Sequence, residues 1–177
     1  MSQQPGHAVT QVIDKGASTP ADIPSEVTIP VPSSGGGFIP LAEFGLAVEL
    51  DPIVGINNFV TLTGTVAVQS PLFENTTRIS DIILQITRRN TTPESPTFLI
   101  FETRQSILGA NEIVNIGFSF TDGGVDGSIP TGYYAYTLQI GRQDFVDLSL
   151  FPPPMIVGPI QFEGTSYTTN GNSMGSQ

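Results

Sequence analysis

Cysteine is absent from the 177 residues, so neither a disulfide framework nor a thiolate metal site can be built. Histidine occurs once, as His7 near the amino end, which excludes a Ser-His-Asp triad or a histidine-ligated metal on the body of the chain. Lysine and arginine total 6 against 16 acidic residues, a formal charge of −10, and Lys15 is the only lysine. Phosphate backbones and anionic lipid surfaces repel such a chain, so nucleic acid and membrane are set aside as partners. The opening MSQQPGHAVTQVIDKG has no basic patch followed by an apolar run, and no stretch approaches the length of a membrane span. Charged residues make up only 12% of the chain, unlike the highly charged disordered class. A chain of this length buries roughly 70% of its unfolded surface and needs no covalent staple.

What is present is alternation. From Phe44 onward apolar residues recur at every second position, the period of a strand with one buried face. Leu46, Val48 and Leu50 form one such set; Val60, Leu62, Val66 and Val68 another, with Thr61, Thr63 and Thr65 on the opposite side. Ile82, Leu84 and Ile86 follow, then TFLIFETRQSI, then Val114, Ile116, Phe118 and Phe120, then Tyr134, Tyr136, Leu138 and Ile140. DFVDLSLF and MIVGPIQFEG complete the series. Breakers separate them at 90–96, 108–112, 121–132 and 151–154. Short strands at regular spacing without helical runs predict an all-β fold, an antiparallel β-sandwich of jelly-roll type over 38–164. Residues 1–37 read as a flexible amino-terminal arm, and 165–177, which lack apolar periodicity, as a flexible tail.

Chemistry on this frame is sparse. Glu102, Glu112, Asp144 and Asp147 are the carboxylates that could converge, but acids on loops read as solvated. TDGGVDGS places Asp122, Asp126 and Gly127 at calcium-loop spacings, yet Gly124 and Tyr133 stand where ligands are required, so it reads as a hairpin loop. Asn75 and Asn90 each begin Asn-Thr-Thr, the glycosylation acceptor pattern. Arg88 and Arg89 read as a solubilising strand end. Tyr134 and Tyr136 are in phase with the core, which leaves Tyr133, on the outer face, as the candidate ligand contact. No catalytic residue, metal ligand or cofactor is expected.

The amino end carries the most specific pattern. In VTIPVPSSGGGFIP, Val27, Ile29 and Val31 share one backbone edge, while Pro30 and Pro32 remove the donors from the other. Such a segment can join a sheet on one side and refuses a strand on the other. Gly35, Gly36 and Gly37 follow as a hinge, glycine being the costliest residue to order. Two readings stay open: an edge strand of its own sandwich, or an arm that adds a strand to a neighbouring subunit. Burying three such side chains gains roughly 1.5–3 kcal/mol each, whereas ordering five or six residues costs about 1–2 kcal/mol apiece. Donation therefore needs a second apolar patch, such as Val9, Val12, Ile13 and Ile23, or many parallel contacts.

The pieces TIPVPSSGGGFIPLA, VTLTGTVAV, ISDIILQITRRN, FLIFETRQSI, VNIGFSF, TGYYAYTLQI and VGPIQFEG, in this order over about 27–164, resemble the small β-rich spore-surface proteins of Bacillales, similar to exosporium protein C and its relatives. The resemblance implies a non-enzymatic structural protein of the exosporium, coat layer or appendage fibre. Such a protein is made in the mother cell without a signal peptide and exposed on the spore surface after lysis. Its partners would be copies of itself and other surface-layer proteins, in a homo-oligomer, filament or polymer, with strand complementation through the arm. The competing classes are a carbohydrate-binding β-sandwich module and a phage or viral fibre or capsid jelly roll.

Overall fold

The computed structural model describes residues 10–18, 29–33, 37–49, 57–72, 78–92, 94–123, 128–148 and 152–169. Nine strands are formed among them: β1 (Thr10–Ser18), β2 (Ile29–Pro30), β3 (Ile39–Val48), β4 (Asn57–Gln69), β5 (Arg78–Asn90), β6 (Thr97–Leu108), β7 (Ile113–Gly123), β8 (Gly132–Asp144) and β9 (Met155–Thr169). One sheet runs β1-β9-β4-β7 with β2 also on β9; the other runs β3-β8-β5-β6. All of their strand pairs are antiparallel.

The order follows one rule. β5 pairs β6, β4 pairs β7, β3 pairs β8 and β2 pairs β9, each hairpin nested inside the next. Lateral pairs β4–β9 and β5–β8 then split the nest into two facing sheets. That is a jelly roll, the double-sheet solution in which two Greek keys share one core.

The alternation fills that core as the pattern requires. Val60, Leu62, Val66, Val68, Ile82, Leu84, Ile86, Tyr136, Leu138 and Ile140 are fully buried between the sheets. Leu50, expected beside Leu46 and Val48, lies outside the described residues. Two bare positions shape the packing. Gly16 of β1 and Gly164 of β9 are direct cross-strand partners. A Cβ on either would sit 2.7–2.8 Å from the ring of Phe44, which crosses from the other sheet into the notch they leave. Phe44 then packs tilted against Phe162, centroids 4.6 Å apart and planes 49° from parallel.

Three boundaries differ from the sequence reading. Thr10–Ser18, expected within a flexible arm, is a strand on β9, because its glycine admits Phe44 and its backbone finds a paired edge. β9 continues to Thr169 rather than ending at 164, since Ser166 and Thr168 occupy buried inner-face positions with hydroxyls where apolar residues were sought. DFVDLSLF forms no strand among its described residues after Asp144: the Phe145 N–H turns to Ile79 O (2.9 Å), and its ring lies under Arg78 (4.2 Å).

Candidate functional site

The proline-bearing segment binds its own chain. Ile29 pairs with Ile156 and Pro30 with Met155, and the Val31 N–H donates to Pro154 O at 2.9 Å. Odd-numbered residues therefore face β9, as the backbone parity demands, and the exposed Pro30 offers no donor to any strand outside. Val31 is wholly buried and belongs to the core, so the segment forms a wall of the sandwich as well as an edge. Among the described residues the segment pairs as an edge strand of its own sandwich. Val27, Gly35 and Gly36 lie outside the described residues. Gly37 has φ of 81°, a left-handed conformation that a side chain would strain.

One residue holds this segment from the other sheet. Arg142 on β8 donates its backbone N–H to Pro32 O (2.9 Å) and its Nη1 to Val31 O. Its Nε bridges both oxygens of Asp144 at 2.8 and 3.1 Å, and Asp144 accepts from Ser80 Oγ at 2.6 Å. The Arg142 side chain is only 11% exposed, so its bonds act with little competition from water. Arg142 is thus a latch across the sheets, with the arm carbonyls at one end and an aligned carboxylate at the other. Sequence reading missed it because a lone arginine in a strand carries no pattern of its own. Of the second apolar patch proposed for the arm, Val12 is exposed and Ile13 half-buried, so neither anchors it strongly; Val9 and Ile23 lie outside the described residues.

At the far end of the sandwich the inner face turns polar. Arg88, expected to solubilise a strand end, instead points inward and pairs with Asp122 at 2.7 Å. The Tyr136 hydroxyl donates to the same carboxylate oxygen at 3.1 Å, and Arg88 lies 5.5 Å over the Tyr134 ring. Asp122, weighed in sequence as a calcium ligand, is spent here on structure. Burial first, and the charge of Asp122 second, push the Tyr136 hydroxyl far above its ordinary value of 10.0. The folded state keeps this proton where the unfolded state loses it, so its stabilisation is complete below pH 10 and declines as pH rises above that value. Urea midpoints measured from pH 8 to 11 should fall, and Tyr136→Phe should flatten the fall; equal slopes in both proteins would refute this.

The remaining candidates do not converge. Glu102 is held by Gln85 and Arg104 on the outer face, and Asp144 by Arg142. Among the described residues no group of three or more His, Cys, Asp or Glu gathers as a metal site would require. Tyr133 is half exposed on the outer face of the second sheet, its ring against bare Gly45.

Strand order and core place the chain in the class of antiparallel jelly-roll β-sandwiches. No protein-family model and no curated protein matches it. Among solved structures, it is similar to a chain of infectious bursal disease virus, Gx strain, with 11% identity and a TM-score of 0.40 over 99% of this chain and 36% of that one. The chain therefore spans about a third of the length of that viral chain. It is also similar to the cowpea mosaic virus top component, with 15% identity and a TM-score of 0.27 over 96% of this chain and 90% of that one. A third similar structure is described as "CBM4 structure and function", with 13% identity and a TM-score of 0.26 over 88% and 94%.

Proposed function

We propose that this chain is a non-enzymatic structural subunit of a surface assembly, of the exosporium, coat or appendage kind suggested by its sequence resemblance, and that subunits join by exchanging arms. The observation that carries this is the one-sided strand Ile29–Pro30 and its extension to Pro32. It covers the start of β9, is latched by one arginine, and is followed by a glycine run in the sequence. Every contact it makes to its own β9 and β8 is available, unchanged, from a neighbour's arm. Exchange then adds little new interface per subunit, and the gain comes from repetition in an array. On the side of the sandwich away from the arm, β6 and β7 leave two long edges, with Phe98, Leu99, Leu108 and Ile113 exposed along them. Charges in mid-β6, Glu102 and Arg104, interrupt that apolar edge.

The absence of native cysteine allows a direct test. Thr10 and Thr169 are opposed across β1 and β9, at a separation within disulfide reach for an antiparallel pair. In Thr10→Cys/Thr169→Cys, oxidation of dilute monomer should give an internal crosslink. Oxidation of assembled material should give covalent dimers or longer ladders on a non-reducing denaturing gel. Assembled material that yields monomer bands alone would overturn arm exchange.

A further inference from the structure

We propose that the outer face of the β1-β9-β4-β7 sheet, with β1 as one wall, is a binding furrow for an uncharged polysaccharide. The face is hollowed. A depression of about 470 Å³ is lined by Lys15 and Ala17 of β1, Thr61 and Thr63 of β4, and Glu163 and Thr165 of β9. A second, of about 300 Å³, shares Thr63 and Glu163 and continues across β4 through Thr65 and Gln161 to Gly117 on β7. Together they form one shallow channel across the strands. Three strand spacings make it roughly 14 Å long.

The floor follows from period two. Inner-face residues of β4 and β9 fill the core, so the odd-numbered Thr61, Thr63, Thr65, Glu163 and Thr165 all point outward. Thr61 stands opposite Thr165, Thr63 opposite Glu163 and Thr65 opposite Gln161. Thr63 Oγ1 donates to Glu163 Oε1 at 3.1 Å, which orients the carboxylate within the channel. One pair further along, Phe59 stands opposite Tyr167. Their rings lie 16° from parallel with centroids 5.0 Å apart, an aromatic ledge at the channel's edge.

The chemistry selects the ligand. Hydroxyl, amide, carboxylate and ammonium groups offer donors and acceptors within one short span, which suits a polyol presenting both. An apolar ligand would leave the threonine hydroxyls unpaired. An acidic polymer would meet Glu163 and a chain of net charge −10 with Lys15 as the one cation lining the channel. The half-buried Phe59–Tyr167 stack beside the channel supplies apolar surface for the C–H groups of a sugar ring. The hollow is open rather than enclosed, so it fits a segment of a longer chain better than a small molecule.

Native affinity electrophoresis of the full chain tests this, with barley β-glucan, xylan and galactomannan as neutral probes and alginate as the acidic one. At least one neutral polymer should retard the protein. Thr63→Val, Glu163→Gln and Tyr167→Ala should each weaken retardation about tenfold, while Tyr133→Ala, on the other sheet, leaves it unchanged. Thermal melts identify which variants remain folded, and Thr63→Val, nearly isosteric on an outer face, keeps the comparison valid if Tyr167→Ala does not. Retardation by alginate alone, by none of the probes, or by a neutral probe with all three furrow variants unaffected would overturn the proposal. None of these outcomes bears on arm exchange, which the crosslinks read separately.

Discussion

Asp122→Ala is expected to remove about 3–5 kcal/mol of unfolding free energy, because it leaves a largely buried guanidinium without its counter-charge. For a chain of this size that corresponds to a melting point lower by roughly 10 °C. Arg88 is 20% exposed and Asp122 10%, both face inward, and the carboxylate oxygen that takes Arg88 also takes the Tyr136 hydroxyl. Removing the carboxylate takes the shared acceptor from two donors at once and leaves the cation only the Tyr134 ring and the weakly accepting Tyr136 hydroxyl as described neighbours. Asp122→Asn keeps an acceptor and should cost less. The pair Arg88→Met/Asp122→Leu should recover much of the loss, since an apolar pair needs no desolvation of charge. Urea unfolding of the four proteins decides it, and a loss below about 1 kcal/mol for Asp122→Ala would show that the cluster is well hydrated.

Arg142→Ala is expected to have the second largest effect, about 2–4 kcal/mol, composed of a charge-assisted bond lost and a buried carbonyl left unpaired. Unlike Asp122→Ala, its damage should be regional. Val31 O loses its donor and Asp144 keeps only Ser80, while the backbone bond from Arg142 N to Pro32 O survives. Hydrogen exchange should therefore accelerate at Val31 well before it does in β4 or β5, whose bonds lie between other strands. If arms exchange between subunits, the same substitution should speed the appearance of crosslinked dimer in Thr10→Cys/Thr169→Cys without changing its final fraction, because release from the home sheet precedes capture by another and the latch is lost equally from both. Uniform exchange acceleration across the sandwich would mean that Arg142 supports the whole fold and is no latch.

The strands from β3 to β8 were legible because hydrophobic alternation is the physical requirement of a sheet with one dry face. Leu62, Leu84 and Leu138 sit where period two puts them. Legibility failed where the inner face is polar. Asn58, Asp122, Ser166 and Thr168 are as buried as leucines, yet a hydrophobic pattern cannot register them. Arg88 was misread for the same reason: its partner Asp122 lies 34 residues away, and only the pairing of β4 with β7 and of β5 with β8 brings the two together. The parity of the prolines at 30 and 32 matches the edge that meets β9, through the Val31 N–H, while Pro32 O on the opposite edge takes the Arg142 N–H. Which molecule supplies the other half of the bond is a matter of assembly, beyond what a single chain's periodicity encodes. The Phe59–Tyr167 ledge escaped notice because Tyr167 lay in a stretch read as tail; its alternation with Thr165 and Thr169 was the available signal.

The glycine pair beneath Phe44 sets a rule for membership. If arms exchange as proposed, an arm arriving at a foreign sandwich must present no side chain at the position opposite Gly164, or its Cβ would overlap the ring that fills the notch. Even an alanine there would force the incoming strand outward and break its ladder with β9. Co-polymerisation would then be confined to chains that keep this hydrogen-for-methyl vacancy in register.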